Sequence, residues 1–377
     1  MLDEKRIQEL KTIPYPEYLL TPEWEEKRKQ VLSSAKHRCQ VCNSSENLNV
    51  HHRTYGDRGN EDLADLTVLC KNCHGQFHDR MSTQEKESTF STLSEIAEEM
   101  SNGEYSAGIP TGYTDLDHFL GSGLHKSELV LLGGRTRNGK TALALNIAHN
   151  AASSGNSVAI FSLEMDKQQI FERFVAMEAR INTFAIRNRN LPDDEMGMLN
   201  EAVNVLSCLP LQISDTIGTV DTIRQELKQL IDKSGGIDLA IIDYLGLIEP
   251  YKHTKNTNAE QQIRAISRGL KLLAREFNIP VLVLCQLSRS AENRTDKRPE
   301  LTDLRDSGAQ EQDADVVLLI HCDDVYDAHA ERMGIADIII AKQRNGPTGE
   351  VSILFKKEYM LFQDLESMPS EFGHQVA

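Results

Sequence analysis

Residues 134–141, GRTRNGKT, have the spacing of a phosphate cradle. In GxxxxGK[ST] the glycines, here Gly134 and Gly139, let backbone N–H groups close around phosphate oxygens. Lys140 adds a point charge at the β/γ-phosphates, and Thr141 offers a hydroxyl to Mg²⁺. A helix starting at this point would aim its partial positive charge at the same anion. The pattern implies a site for a nucleoside triphosphate such as ATP. A second set of residues suits a metal. Cys39 and Cys42 form one CxxC pair, Cys70 and Cys73 another, and 27 residues separate the pairs. That is the spacing of a tetrahedral Cys₄ zinc site, Zn²⁺ being the ion such thiolates favour. His51-His52 ends the strand-like NLNVHH, while His74 and His78 stand one helical turn apart on one face.

The elements that must position these residues are legible around them. An apolar run, Leu129 to Leu132, enters the glycine-rich loop, and the alanine-rich TALALNIAHNAA leaves it. SELVLLGG, SVAIFSLE, DLAIIDYL, IPVLVLCQ, DVVLLIH and IADIIIAK read as buried strands, with helical patterns between most of them. One such pattern is the stripe Ile263, Ile266, Leu270, Leu273, Phe277, ended by Pro280. The alternation predicts an α/β fold with a mainly parallel sheet covered on both faces. In such sheets ligands bind beyond the carboxyl ends of the strands. Glu164 ends one strand and is suited to polarise an attacking water. Asp243 ends another and is suited to hold the water shell of Mg²⁺. Gln286 ends a third, able to sense the γ-phosphate. Alone, each reads equally well as an ordinary polar strand terminus; together after a phosphate loop they read as a hydrolytic site. Hydrolysis further requires a cation on the transferring group.

A chain of 377 residues exceeds the usual size of one core. The pattern divides it into a zinc-binding domain (1–80), a linker (81–107), an ATPase domain (108–366) and a tail (367–377). In the linker, Phe90, Leu93, Ile96, Ala97 and Met100 fall on one helical face before Asn102-Gly103. The start, MLDEKRIQEL, is charged within three residues, and no apolar run is long enough to span a bilayer. A cytoplasmic protein with no membrane partner is expected, and there paired cysteines mean metal rather than disulfides. Cys208, Cys285 and Cys322 read as core thiols. The net charge of −16 argues against general stickiness to nucleic acid, so any DNA contact needs local basic loops or a central channel.

From Gly108 to about Phe362 the chain resembles the RecA-type motor domain of DnaB-type replicative helicases. The strings that carry the resemblance are GIPTGYTDLDHFL, GGRTRNGKTALALN, FSLEM, IIDYLGLI, CQLSRSAENRTDKRPELTDLRDSGAQEQDAD and IIIAKQRNGPTGEV, in family order. The resemblance implies that Lys140 and Thr141 bind phosphate and Mg²⁺, Glu164 is the catalytic base, Asp243 anchors Mg²⁺ and Gln286 is the coupling sensor. Lys342 and Arg344 would reach into the neighbouring subunit's site as its cationic finger. From spacing alone, these two read as a solvated turn between strands. Arg305, Asp306 and Gly308 would hold the DNA backbone. Hydrolysis would then depend on assembly into a homohexamer around single-stranded or forked DNA, whose basic lining is compatible with an acidic exterior. The helix at 88–101 matches a linker helix that docks on the adjacent subunit. Primase or a loader are candidate partners, although a cysteine–histidine module stands where the family carries an all-helical domain.

Residues 17–80 resemble the zinc-stabilised branch of the HNH endonuclease family, a ββα–metal (treble-clef) fold. By position, His51, His74 and His78 would hold Mg²⁺ or another divalent ion, and His52 would be the general base. Asp65 occupies the place of the family's middle Asn. A zinc-held DNA grip that cuts nothing is the other reading of this module. For the whole chain, two alternatives to a DNA-unwinding ring stay open: a RadA-type recombination ATPase, and an ATP-gated HNH endonuclease.

Overall fold

A computed structural model describes residues 6, 10–11, 13, 15–52, 61–71, 73, 92–94, 97–98, 107–188, 191–216, 218–251, 258–288, 294, 296–304, 307–327 and 329–365. The chain forms two compact units, Met1–Tyr105 and Ser106–Ala377.

In the first unit, helix α1 (Pro22–Ser34) packs on an antiparallel hairpin of β1 (Leu48–His52) and β2 (Leu66–Cys70). Pro22 at the first helical position and Thr21 as N-cap, accepting from the Trp24 N–H, fix where α1 begins. Its core is small: Tyr18, Trp24, Val31 and Leu32 against Leu66 and Val68. The Tyr18 hydroxyl donates to the buried Glu61 carboxylate, and Lys27 Nζ donates to the Glu61 carbonyl at 2.6 Å. So slight a core needs a further constraint to stay folded.

The second unit is built on a nine-stranded sheet in the order β11-β10-β9-β8-β3-β7-β6-β4-β5. Strands β3 (Leu129–Gly134), β4 (Val158–Ser162), β5 (Leu211–Ser214), β6 (Leu239–Asp243), β7 (Val281–Gln286) and β8 (Val316–His321) run parallel. The strand over IADIIIAK, β9 (Ile335–Gln343), turns antiparallel, followed by β10 (Gly349–Lys356) and β11 (Leu361–Asp364). Sequence periodicity leaves β5, β10 and β11 unassigned: β5 is a half-buried edge, and β10 and β11 alternate or are too short to stand out. Along each central strand alternate residues feed two cores. Val130, Leu132, Ile160 and Leu318 join one; Leu129, Leu131, Phe161 and Leu319 join the other.

Helices cover both faces: α2 (Thr114–Phe119), α3 (Lys140–Ser153), α4 (Lys167–Ala179), α5 (Thr183–Asn188), α6 (Asp193–Ser207), α7 (Val220–Ser234), α8 (Ala259–Phe277) and the short α9 (Ser307–Asp313). The predicted stripe of α8 faces inward at Ile266, Leu270 and Leu273, and Asn278 in the left-handed region ends it before Pro280. α3 is buried on nearly every side, which its small alanines permit. Among the described residues no helix is long and apolar enough to cross a membrane.

Candidate functional site

The phosphate loop lies between β3 and α3, with Gly139 as N-cap at φ 86°. A side chain there would be strained, and its Cβ would lie 2.7 Å from Phe355, whose ring stacks on Phe362 at 4.0 Å. Gly134 serves packing: a Cβ would sit 2.6 Å from Ile320 of the adjacent strand. The loop borders a cavity of about 390 Å³ whose lining includes Lys140, Thr141, Glu164, Arg173, Tyr244 and Gln286. Asp243 and Gln286 close β6 and β7, while Glu164 falls two residues beyond β4. Four residues distant in sequence thus meet at the carboxyl edge of the sheet.

Lys140 Nζ donates to the Cys285 carbonyl at 3.2 Å and stands 5.3 Å from the Tyr244 ring. Burial lowers its pKa, so the ammonium lacks a full counterpart until an anion arrives. Burial likewise pushes the Asp243 carboxyl up, with the Thr141 hydroxyl and the Lys140 charge pulling against it. Asp243 Oδ1 is buried without a hydrogen-bond partner among the described residues. An orphaned carboxylate oxygen beside a threonine hydroxyl fits the oxygen ligands and waters that Mg²⁺ demands.

Several residues escaped sequence reasoning. Arg173 lines the cavity near Asp243 and Glu164, and burial lowers its pKa. Its place on α4 next to buried Ile170 and Phe174 was the available signal. Asn138, almost fully buried, accepts from the Cys322 N–H at 2.8 Å and pins the loop to the end of β8. Asn146 of α3 accepts from the Phe362 N–H at 3.0 Å and donates to the Met360 carbonyl at 2.8 Å, tying β11 to the same helix. A buried asparagine carries no periodic signal.

Lys342 and Arg344 are not among the residues lining this cavity. Lys342 Nζ donates to the Glu311 carbonyl and, at 2.7 Å, to the Ala314 carbonyl. Arg344 Nη2 donates to the Gln312 carbonyl at 2.6 Å. Of the three loop residues read as DNA contacts, Gly308 opens into α9, and Arg305 and Asp306 lie outside the described residues.

In the first unit, the sulfurs of Cys39, Cys42, Cys70 and Cys73 lie within 4.8 Å of one another, with Cys42 and Cys70 at 3.5 Å. Sulfurs bound tetrahedrally to one zinc stand about 3.8 Å apart, so the cluster fits that ion. Gln40 straps the first pair to β2: its N–H donates to the Val68 carbonyl, and its side chain accepts from the Val68 N–H. Burial opposes ionisation of Cys39, yet the backbone N–H groups of Cys42, Cys70 and Val41 outweigh it and hold this thiol at about 6. The Cys42 and Cys70 sulfurs push Cys73 up to about 12. Crowded sulfurs of this kind call for a cation. His51 is buried and pairs with Thr67 across the hairpin; His52 pairs with Leu66, directly after Asp65. His74 and His78 lie outside the described residues, as does most of the proposed linker helix; Leu93 and Ala97 of its stripe are exposed.

Comparison with known proteins assigns families to both parts of the chain. The family model for the DnaB-like helicase C terminal domain matches residues 108–364, and that for HNH endonuclease matches residues 39–80. The replicative DNA helicase DnaC of Bacillus subtilis is 46% identical over 268 residues, 71% of this chain and 58% of that protein. The replicative DNA helicase DnaB of Geobacillus stearothermophilus is 46% identical over 261 residues, 69% of this chain and 57% of that protein. The chain therefore spans less than three fifths of the length of these two relatives. Among solved structures, an isolated ATPase domain superposes with a TM-score of 0.68 at 39% identity, covering 73% of this chain and 97% of that domain. A DnaB-like replicative helicase, described with its interactions with primase, gives 0.68 at 36% identity over 78% of this chain and 73% of its own. Through residues 108–364, the chain belongs to the DnaB-like helicase C terminal domain family.

Proposed function

We propose that this chain is an ATP-driven DNA-unwinding motor that works as a homohexameric ring on single-stranded DNA. The observation that carries this reading is a site complete but for one component. Lys140, Thr141, Glu164, Asp243 and Gln286 are gathered at one sheet edge, and the two cations expected to finish the site are held elsewhere on the same chain. A neighbouring subunit can supply Arg344 in trans, while Lys342 stays on the carbonyls at the end of α9. Lys140 and the α3 N-terminus hold the β/γ-phosphates, and Glu164 accepts a proton from the attacking water. Arg173 steadies the two carboxylates nearby. Thr141 and Asp243 would hold Mg²⁺, which would supply charge neutralisation at the phosphate oxygens. Gln286 reports the γ-phosphate along β7, and Arg305, Asp306 and Gly308 contact the DNA backbone. The family match places this reading above a RadA-type recombination ATPase. The test is separation of forked DNA by the full chain with ATP.

The first unit is a Zn²⁺-held module that binds DNA. Metal ligation of this kind supplies on the order of 10 kcal/mol of folding free energy. Replacing Cys39 and Cys42 by Ser is expected to unfold residues 1–80 while ATP hydrolysis persists, read by limited proteolysis and phosphate release. Loss of both together would contradict separate folding. The HNH match at residues 39–80 favours a second activity in this module, metal-dependent DNA cleavage. His51, His74 and His78 would hold the divalent ion and His52 would activate water, an imidazole being suited to act as base near neutral pH. Nicking of supercoiled DNA with Mg²⁺ or Mn²⁺ is expected to vanish in His52→Ala and to survive Lys140→Ala. Nicking undiminished by His52→Ala would strip this residue of its role as base. Primase or a loader are proposed partners of the assembled ring.

A further inference from the structure

Arg344 is held at three points. Its backbone N–H donates to the Asp315 carbonyl at 2.9 Å, its Nη2 to the Gln312 carbonyl at 2.6 Å, and its Nε lies 3.5 Å from Asp315 Oδ1. Nη1 has no partner among the described residues, and the side chain is 47% exposed. One edge of the guanidinium thus grips the protein while Nη1 is left for another acceptor. Lys342 is used differently. Its ammonium takes the carbonyls of Glu311 and Ala314, which a helix ending at Asp313 leaves open.

Asp315, in turn, is buried and anchored. Its Oδ2 accepts from the Leu129 N–H at 2.8 Å and from Lys271 Nζ at 2.5 Å, and its N–H donates to the Leu129 carbonyl at 2.9 Å. Leu129 begins β3, the strand that ends at the phosphate loop. Lys271 and Leu129 already satisfy one carboxylate oxygen; the other faces Arg344. A free arginine side chain must give up rotamer freedom to reach a phosphate, and prior restraint removes much of that cost.

We propose that Asp315 is a positioning residue for hydrolysis in the neighbouring subunit: with the carboxyl end of α9 it aims Arg344 outward, while Lys342 fastens α9 itself. This rests on Arg344 acting in trans, as inferred above. The aim of the cation is thereby tied to a helix whose first turn contains Gly308, and to the strand that feeds the chain's own phosphate loop.

The experiment is subunit complementation with the full chain. Asp315→Asn keeps the shape and an acceptor for the Leu129 N–H and Lys271 Nζ but removes the charge that Lys271 and Arg344 share. Alone, it should lower kcat for ATP by on the order of tenfold or more, with ATP binding unchanged. Glu164→Gln has a dead site and an intact finger. Rings assembled from both variants should hydrolyse ATP faster than either does alone, because each Asp315→Asn site can receive a neighbour's correctly aimed Arg344. Arg344→Ala mixed with Glu164→Gln is the reference pair. If that pair recovers activity and the Asp315→Asn pair does not, Asp315 serves its own site and the proposal falls. Weakened ATP binding by Asp315→Asn would overturn it equally. If neither pair recovers, the in-trans reading fails as well. Should Asp315→Asn not form rings, Asp315→Glu, which keeps the charge but displaces it, takes its place with the same expectations.

Discussion

Arg344→Ala is expected to lower ATP hydrolysis by roughly 10³–10⁵-fold while leaving ATP binding intact, the range over which an arginine supplied to a phosphoryl-transfer site acts. The expectation follows from where the residue is. It lies outside the lining of its own chain's cavity, anchored by Gln312 and Asp315 with Nη1 left over. Removing it deletes nothing from the phosphate loop, so nucleotide affinity should be unaltered in a filter or fluorescence assay. On the proposed in-trans role, what would be lost is the charge that meets the transferring phosphoryl group across a subunit boundary. A variant that stopped binding ATP would put Arg344 in its own site, and one that kept full hydrolysis would remove it from the chemistry.

Lys140→Ala is expected to reduce hydrolysis to background, a loss of at least about 10²–10³-fold, comparable with removing one preorganised group from a transition state. Here binding should weaken too, since on the proposed role the ammonium would contact phosphate before and during reaction. The fold should tolerate the change. Without nucleotide the Lys140 charge is disfavoured by burial, which the Cys285 carbonyl, the Tyr244 ring and the Asp243 and Glu164 charges only partly offset, so its removal costs the fold little. Thermal unfolding of the nucleotide-free chain should therefore occur at an unchanged or higher temperature. A folded variant that still hydrolysed ATP would refute the assignment of this loop.

The residues that assemble the cavity were readable because backbone geometry constrains their types. Gly139 must adopt positive φ against Phe355, and Asp243 and Gln286 end strands whose apolar runs are plain. Sheet order was harder to read. Nothing in VSILFK or LFQD tells that they pair antiparallel beyond β9, because those contacts are set by the β9–β10 turn and by Asn146 holding β11 from α3. Asn138 and Asn146 were silent for a related reason: a buried polar residue that pins a loop or an edge strand leaves no period in the sequence. The cysteine cluster was the opposite case, since two CxxC pairs suited to one tetrahedral ion are legible as spacing alone. The fastening of Lys342 and Arg344 onto α9 depends on carbonyls rather than side chains, which no residue pattern records.

The measurement closest to the central claim is strand separation on a forked duplex by the full chain, with ATP and Mg²⁺, wild type beside Lys140→Ala. The wild type should release the displaced strand only when ATP is hydrolysed, and Lys140→Ala should leave the fork paired. A wild type that hydrolyses ATP in the presence of the fork and separates no strands would contradict the claim.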